Sequence, residues 1–471
     1  MYKFPDMFIK QLYTNCLSEA AYYIESNGEA AIVDPLRDID VYLDLAKERG
    51  ASIKYIFETH FHADFVSGHI DLSRLSGAPI IYGPGAETNY KVHNASHGEV
   101  FNIGDVTITV LHTPGHTLES SCYLLKDESG KDHAIFTGDT LFVGDVGRPD
   151  LSSGNMSSEE LAGILYESLQ SQIIPLNDDV IVYPAHGPGS SCGKSLGPNT
   201  FSTIGEQKKT NYALQPQSKD DFVKAVTTGL ALAPKYFAVN AMINKKGYEG
   251  YHEVMEKGLT PLSVEDVKNA KDALIVDTRH ATEFTQGFIP GSIFIGLEGR
   301  FAEWAGNMLP FDKDLVLITP PGKEEESVTR LTRVGFDRIK GVLNGGFDAW
   351  KASGEPIDMI IDVEADELIM DLPHDPNLTV LDVRRETEFA DGHLEDAVNI
   401  PLSDMTDVAS FAGLEDDQNL YIHCAGGYRS VIAASLMKRQ GYNNLRNVLG
   451  GWARIKEQEK APIKKEASQL N

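Results

Sequence analysis

The chain has 471 residues, with 42 Lys and Arg against 69 Asp and Glu, a formal charge of −27 with histidine neutral. A hydrophobic fraction of 42% with 24% charged residues excludes a wholly disordered chain, and the length calls for two to four domains of ~100–200 residues each. The acidity argues against nucleic acid and against an anionic membrane surface as partners, because both need clustered Lys and Arg.

The first residues, Met1-Tyr2-Lys3-Phe4-Pro5, lack the basic region and apolar run of a secretory signal. No stretch approaches ~18 uninterrupted apolar residues, so no transmembrane helix is expected. Four cysteines, Cys16, Cys122, Cys192 and Cys424, are too few for a disulfide framework and read as thiols of a cytoplasmic protein. Cys16 and Cys122 fall in apolar runs and read as buried small hydrophobes. Cys192 and Cys424 fall in glycine-rich loops, where reactive thiols are found.

Residues 1–245 alternate β-branched runs with helical stretches. Ala30 to Pro35 reads as a strand ending in a turn, and Asp40 to Arg49 as a helix stopped by Gly50. Ile53 to Glu58 reads as a strand that delivers Thr59-His60-Phe61-His62-Ala63-Asp64-Phe65. Further strands, Val106–Leu111, Ala134–Thr137 and Val180–Tyr183, lead to loops holding His116, Asp139 and His186. Six candidate ligands, His60, His62, Asp64, His116, Asp139 and His186, thus lie just past apolar runs. Imidazole with carboxylate suits zinc or non-haem iron. His69, His93, His97 and His112, taken singly, read as loop hydrogen-bonding groups.

Beyond Lys245 the sequence repeats itself. Ile275-Val276-Asp277-Thr278-Arg279 resembles Val380-Leu381-Asp382-Val383-Arg384, with Asp277 and Asp382 105 residues apart. Val342-Leu343-Asn344-Gly345-Gly346 resembles Val448-Leu449-Gly450-Gly451, 106 residues on. Two copies are expected, at 258–356 and 360–460, with a frayed tail from about Glu457. In the second copy the strand Asn419–His423 runs into Cys424-Ala425-Gly426-Gly427-Tyr428-Arg429-Ser430 and a helix from Val431. A cysteine at such a turn meets several backbone N–H groups and a helix N-terminus, which stabilise a thiolate and bound oxyanions. Arg429 can close over the anion. In the first copy, counted from the strand Leu315–Ile318, Pro320 takes the place of Cys424 and Glu325 that of Arg429. That copy is expected to be inactive and to pack the other domains or support a homo-oligomer, a dimer or tetramer.

The ordered set in the first 245 residues resembles the metallo-β-lactamase fold superfamily, and the Cys424 copy with its partner resembles rhodanese domains. The fold class implied is α/β, an N-terminal αββα sandwich followed by two rhodanese-like domains. Phe65 stands where the superfamily has a further histidine, a departure from a two-metal site. The persulfide dioxygenase branch matches better, and implies one ferrous iron, Fe(2+), on His60, His116 and Asp139, with His62, Asp64 and His186 around it. The resemblance further implies that Arg148 holds the carboxylate of a thiol substrate, the alternative being a structural salt bridge with Asp145 or Asp150, and that Cys192, beside Lys194, is an accessible pocket thiol, the alternative being an incidental loop cysteine. The segment after His186, Gly187-Pro188-Gly189, departs from the branch's usual Ala-His-Asp-Tyr. Rhodanese chemistry implies a persulfide on Cys424, with Arg429, Gly426 and Gly427 holding the anion. The function so implied is oxidation of a low-molecular-weight thiol persulfide with O2 to sulfite and thiol, coupled to transfer of sulfur among persulfide, sulfite and thiosulfate. The alternatives are a glyoxalase-II-like binuclear zinc thioester hydrolase fused to a sulfurtransferase, and a non-catalytic sulfur carrier.

Overall fold

The computed structural model describes residues 7–151, 156–411, 413–415 and 418–466. The chain divides into two compact units, Met1–Glu253 with Leu331–Phe336, and Val254–Arg330 with Asp337–Asn471.

The first unit holds two six-stranded sheets. In one, Phe8–Thr14, Glu19–Ser26, Glu29–Val33, Ser52–Phe57, Ile80–Tyr82 and His93–Asn94 are successive neighbours. In the other, the order runs from Ser202–Thr203 through Ile181–Pro184, Asp132–Gly138, Ser121–Lys126 and Val106–His112 to Val100–Ile103. The sheets face each other across a core of Tyr22, Val33, Phe57, Ile108, Tyr123 and Phe136, all buried. Each such side chain contributes ~1.5–3 kcal/mol by leaving water. The far face of the second sheet buries Leu124, Ile135 and Val182 against Leu165 of the helix Ser158–Ser168 and Phe222 of Lys219–Thr227. Ser157 and Glu160 close a capping box at the start of the first of these helices, satisfying two otherwise orphaned N–H groups. The helix Asp40–Arg49 ends at Gly50 in the left-handed conformation, as its sequence predicts.

The second unit holds two five-stranded parallel sheets of identical order. One runs Pro261–Leu262, Ile339–Leu343, Leu315–Ile318, Leu274–Asp277, Ile293–Phe294, and the other Ile361–Val363, Leu445–Val448, Asn419–His423, Leu378–Asp382, Val398–Asn399. The repeated Asp-x-Arg has a structural cause. Arg279 and Arg384 each fold back on their own aspartate at 2.6 Å. Each donates to a glycine carbonyl, Gly287 at 2.8 Å and Gly392 at 2.7 Å. Each guanidinium also lies over an aromatic ring, Phe347 or Trp452.

Three sequence expectations are corrected. Asp277 pairs with Ile318 as Asp382 pairs with His423, so the residue in register with Cys424 is Thr319, not Pro320, and Glu324, not Glu325, corresponds to Arg429. The segment after Glu457 is not frayed throughout, because Ile463–Lys464 pairs with His393–Leu394, and residues 467–471 of that tail lie outside the described residues. Cys16 is part-exposed in the turn before Glu19 rather than buried in a strand. Among the described residues no helix is long and apolar enough to cross a membrane.

Candidate metal centre and cysteine loop

The strand ends of the first unit converge on one buried cluster. His60, His116 and Asp139 offer ligand atoms all within 4.8 Å of one another, as do His62, Asp64 and His186. His60 Nε2 lies 3.8 Å and His116 Nε2 3.5 Å from Asp139 Oδ2, and His186 Nε2 lies 3.4 Å from Oδ1. No hydrogen bond reaches either Asp139 oxygen, although the residue is 1% exposed. Buried carboxylate oxygens without donors are costly unless a cation meets them, so these residues fit a metal ion.

Neighbouring groups set the imidazoles. Thr59 Oγ1 donates to Asp34 Oδ2 at 2.9 Å and accepts from His60 Nδ1 at 3.0 Å. His116 Nδ1 donates to the Arg148 carbonyl at 2.8 Å. Both bonds put the proton on Nδ1 and leave Nε2 bare toward Asp139. Burial, reinforced by His62, His116 and His186, pushes His60 well below the usual histidine range, which keeps it a neutral ligand. The packing also requires glycine at two points. A Cβ on Gly138 would sit 2.5 Å from Thr59 Oγ1, and one on Gly147 would sit 2.1 Å from the Asp139 carbonyl and 2.8 Å from His116 Nδ1.

His62 is held differently. Its Nε2 is 3.0 Å from Asp34 Oδ1 and 3.9 Å from Glu58 Oε2. Burial alone would lower it, but Asp34, then Glu58 and Asp64, carry it up to about 9. Phe65 stacks on its ring with centroids 4.3 Å apart. The residue that replaces the superfamily's further histidine thus packs against a histidine clamped to two carboxylates. The Asp34–Glu58 brace was missed in the sequence, although Asp34 ends a legible strand. The single histidines make hydrogen bonds as expected, but only His97 does so from a loop: His69, at the start of the helix His69–Ser76, meets Tyr90 Oη, His93 meets Glu99 and His112 the Leu118 carbonyl from strands, and His97 accepts from His112 N.

Two expected substrate groups are corrected by geometry. The Arg148 guanidinium is taken up by Asp150, at 2.7 Å from Nε and 2.6 Å from Nη2, and by the Ala231 and Ser191 carbonyls. It therefore offers a substrate carboxylate no vacant fork. Cys192 is near Asp139 and His186, with ligand atoms within 4.8 Å, but it is buried rather than accessible. Burial first, then the charges of Asp64 and Asp139, push its thiol well above the usual range. Lys194 is not among the groups that act on it, its Nζ being directed to the Thr228 carbonyl at 2.7 Å.

In the second unit, Gly427 at φ 103° turns the chain from the strand Asn419–His423 into the helix Tyr428–Arg439, which starts three residues before Val431. Gly427 N–H points at Cys424 Sγ, 3.1 Å away. Arg429 lies at the loop edge, gripped by Glu388 through bonds of 2.7 and 2.8 Å, and that grip holds the Glu388 carboxyl below its usual range. A pocket of about 280 Å³ opens beside Gly426 and Gly427. In the other copy, Pro320 and Pro321 follow Thr319, so two loop N–H donors are missing along with the thiol.

Residues 14–186 match the metallo-beta-lactamase superfamily, and residues 260–353 and 364–458 each match the rhodanese-like domain. The chain is similar to a metallo-beta-lactamase of Staphylococcus aureus subsp. aureus COL known from its crystal structure, with 34% identity and a TM-score of 0.66, covering 72% of this chain and 99% of that one. It is 33% identical over 192 residues to the probable hydroxyacylglutathione hydrolase glo2 of Schizosaccharomyces pombe, covering 40% of this chain and 70% of that protein. It is 33% identical over 166 residues to a second probable hydroxyacylglutathione hydrolase of the same organism, covering 34% of this chain and 60% of that protein. The chain belongs to the metallo-β-lactamase superfamily and carries two rhodanese-like domains. It is an enzyme, with a His and Asp cluster fit for a metal in the first unit and a cysteine loop in one of the two rhodanese-like domains.

Proposed function

We propose that the first unit is a persulfide dioxygenase with one ferrous iron, and that the Cys424 loop exchanges sulfur with its substrates and products. The reading is carried by the three bare donors His60 Nε2, His116 Nε2 and Asp139 Oδ2, two histidines and one carboxylate that leave positions open on a bound ion. His62, locked to Asp34, is poorly placed to hold a second ion. Iron bound there supplies one-electron chemistry with O2. The net reaction is RSSH + O2 + H2O → RSH + HSO3− + H+, in which the outer sulfur is oxidised and O2 reduced. The protein's part is to fix the ligand tautomers through Thr59 and the Arg148 carbonyl, to exclude bulk water, and to place Cys192 at the cluster's rim.

In the second unit, the Cys424 thiolate attacks the outer sulfur of RSSH. The S–S bond breaks, RS− leaves, and Cys424 carries the persulfide. Sulfite then takes that sulfur, giving thiosulfate and the free Cys424 thiol. Gly427 N–H steadies the charge on sulfur, and Arg429 meets the incoming anion when it exchanges its part-exposed partner Glu388 for it.

A second reading is a glyoxalase-II-like thioester hydrolase with two zinc ions. It is favoured by the hydroxyacylglutathione hydrolase relatives and by the grouping of His62, Asp64 and His186. The two readings separate on one purified sample reconstituted anaerobically with iron. One iron per chain with O2 uptake on glutathione persulfide is expected. Two zinc ions per chain, anaerobic thioester hydrolysis and no O2 uptake would instead establish the hydrolase.

A further inference from the structure

The copy without a cysteine is joined to the Cys424 loop by an unbroken line of hydrogen bonds. Thr285, in the helix Ala281–Gln286 of that copy, donates from Oγ1 to Asp362 Oδ2 at 2.6 Å. Asp362 Oδ1 accepts from Asn447 Nδ2 at 2.8 Å. That bond fixes which way the amide points and turns Asn447 Oδ1 toward Ser430, whose hydroxyl lies 2.7 Å away. Ser430 Oγ is in turn 3.7 Å from Cys424 Sγ. Thr285, Ser430 and Asn447 are each 2% exposed or less, while Asp362 is part-buried at the pocket wall, so the bond from Ser430 to Asn447 is the one shut off from water.

A second tie lies next to the nucleophile. Tyr428, between Gly427 and Arg429, donates from Oη to the Gly296 carbonyl of the inactive copy at 2.6 Å and packs its ring near Phe294. The pocket beside the loop accordingly has walls from both copies, with His280, Thr282 and Glu298 on one side and Gly426, Gly427 and Tyr428 on the other.

We propose that the inactive copy is half of the sulfur-transfer site, with Thr285 as a positioning residue that orients the Cys424 thiol through Asp362, Asn447 and Ser430. The Asp362 carboxylate holds the Asn447 amide. The amide takes the Ser430 proton, and the Ser430 lone pairs are left facing sulfur. A thiol so held keeps one rotamer, buried behind Gly427. Loss of Thr285 frees Asp362 and the amide to turn, and the Ser430 proton is then left to its second acceptor, the Gly427 carbonyl at 3.1 Å, which turns the hydroxyl away from its set direction. The duplication is kept, on this view, because the second copy cannot aim its nucleophile alone.

The inference rests on the reading of Cys424 as the sulfur carrier, and the test separates the two. Full-length Thr285→Val and Thr285→Ser are compared by the rate of Cys424 alkylation with iodoacetamide, which assumes no sulfur chemistry, and by transfer of sulfur from glutathione persulfide to sulfite. Thr285→Val is expected to slow both at least fivefold, mainly in kcat rather than KM, while Thr285→Ser restores both and O2 uptake stays unchanged. In a Ser430→Ala background the Thr285→Val effect should vanish. Unchanged alkylation in Thr285→Val, failure of serine to rescue, or an equal effect in the Ser430→Ala background would overturn the proposal. If Thr285→Val does not fold, Asp362→Asn carries the same comparison and the same criteria. Slowed alkylation in a chain whose wild type transfers no sulfur would keep the positioning role and overturn only the sulfur-carrier reading.

Discussion

The backbone of Arg148 bridges Cys192 and His116: its N–H donates to the Cys192 carbonyl at 3.0 Å and its own carbonyl accepts from His116 Nδ1 at 2.8 Å. Its side chain meanwhile grips Asp150. The residue thus holds one metal ligand in place through a main-chain atom that side-chain pairing keeps still.

Replacing Arg148 should therefore disturb metal binding more than substrate binding. Arg148→Ala leaves the carbonyl but removes the buried guanidinium from Asp150, at a cost of ~3 kcal/mol in stability. Metal affinity is expected to fall about 10–100-fold, the usual effect of losing a ligand's support. Metal titration and steady-state kinetics check this together. A rise in KM with full metal occupancy would instead restore the substrate-carboxylate role.

Cys192 should behave as a protected thiol. In metal-free native protein, iodoacetamide at neutral pH is expected to label the part-exposed Cys16 first and Cys424, which is buried beside the pocket at Gly427, more slowly, and to spare Cys192 and Cys122, both of which burial raises, Cys122 to about 11. Peptide mapping before and after unfolding reads the difference. Labelling of Cys192 as fast as Cys16 in the native state would contradict its burial.

Much of this was legible in the sequence where one residue type has one use. The alternation His60, His62, Asp64 past a strand and the thiol among glycines at Cys424 both led to the observed clusters, and the repeat spacing led to two sheets of one order. The register of the inactive loop was legible in the 105-residue offset between Asp277 and Asp382, which sets Thr319 at Cys424; counting from the apolar strand Leu315–Ile318 misses it by one, because a strand's first residue is not marked by its side chains. Arg148 was legible only as a choice: a substrate carboxylate or a salt bridge with Asp145 or Asp150, and spacing alone does not decide between a distant anion and an aspartate two residues on, which is the partner that takes the guanidinium. Asp34, Ser430 and Asn447 gave no signal at all, since each acts through a contact made only when distant strands and loops meet.

The His62–Asp34 clamp predicts a stability profile. With a folded value of about 9 against an ordinary 6.5, His62 binds its proton more tightly in the folded chain. The stabilisation is therefore fully present below pH 6.5 and lost as pH rises through 9, up to ~3 kcal/mol in total. Thermal melts of chelated protein should show Tm falling across that window, and Asp34→Asn should flatten the slope. A Tm that is constant or rises from pH 6.5 to 9 would remove the clamp from the argument.

The register that aligns Thr319 with Cys424 makes a sharper test of the duplicated copies. Cys424→Ser should abolish sulfur transfer and spare O2 uptake, since the thiol and the metal cluster belong to separate units. Adding Thr319→Cys to Cys424→Ser should not restore transfer. Pro320 and Pro321 supply no N–H donors where Ala425 and Gly426 stand in the active loop, and Glu324 opposes an anion where Arg429 would attract it. Mass spectrometry after incubation with glutathione persulfide should find no stable persulfide on residue 319. A transferring double variant would mean that the cysteine alone, without the loop amides and the arginine, suffices for the chemistry.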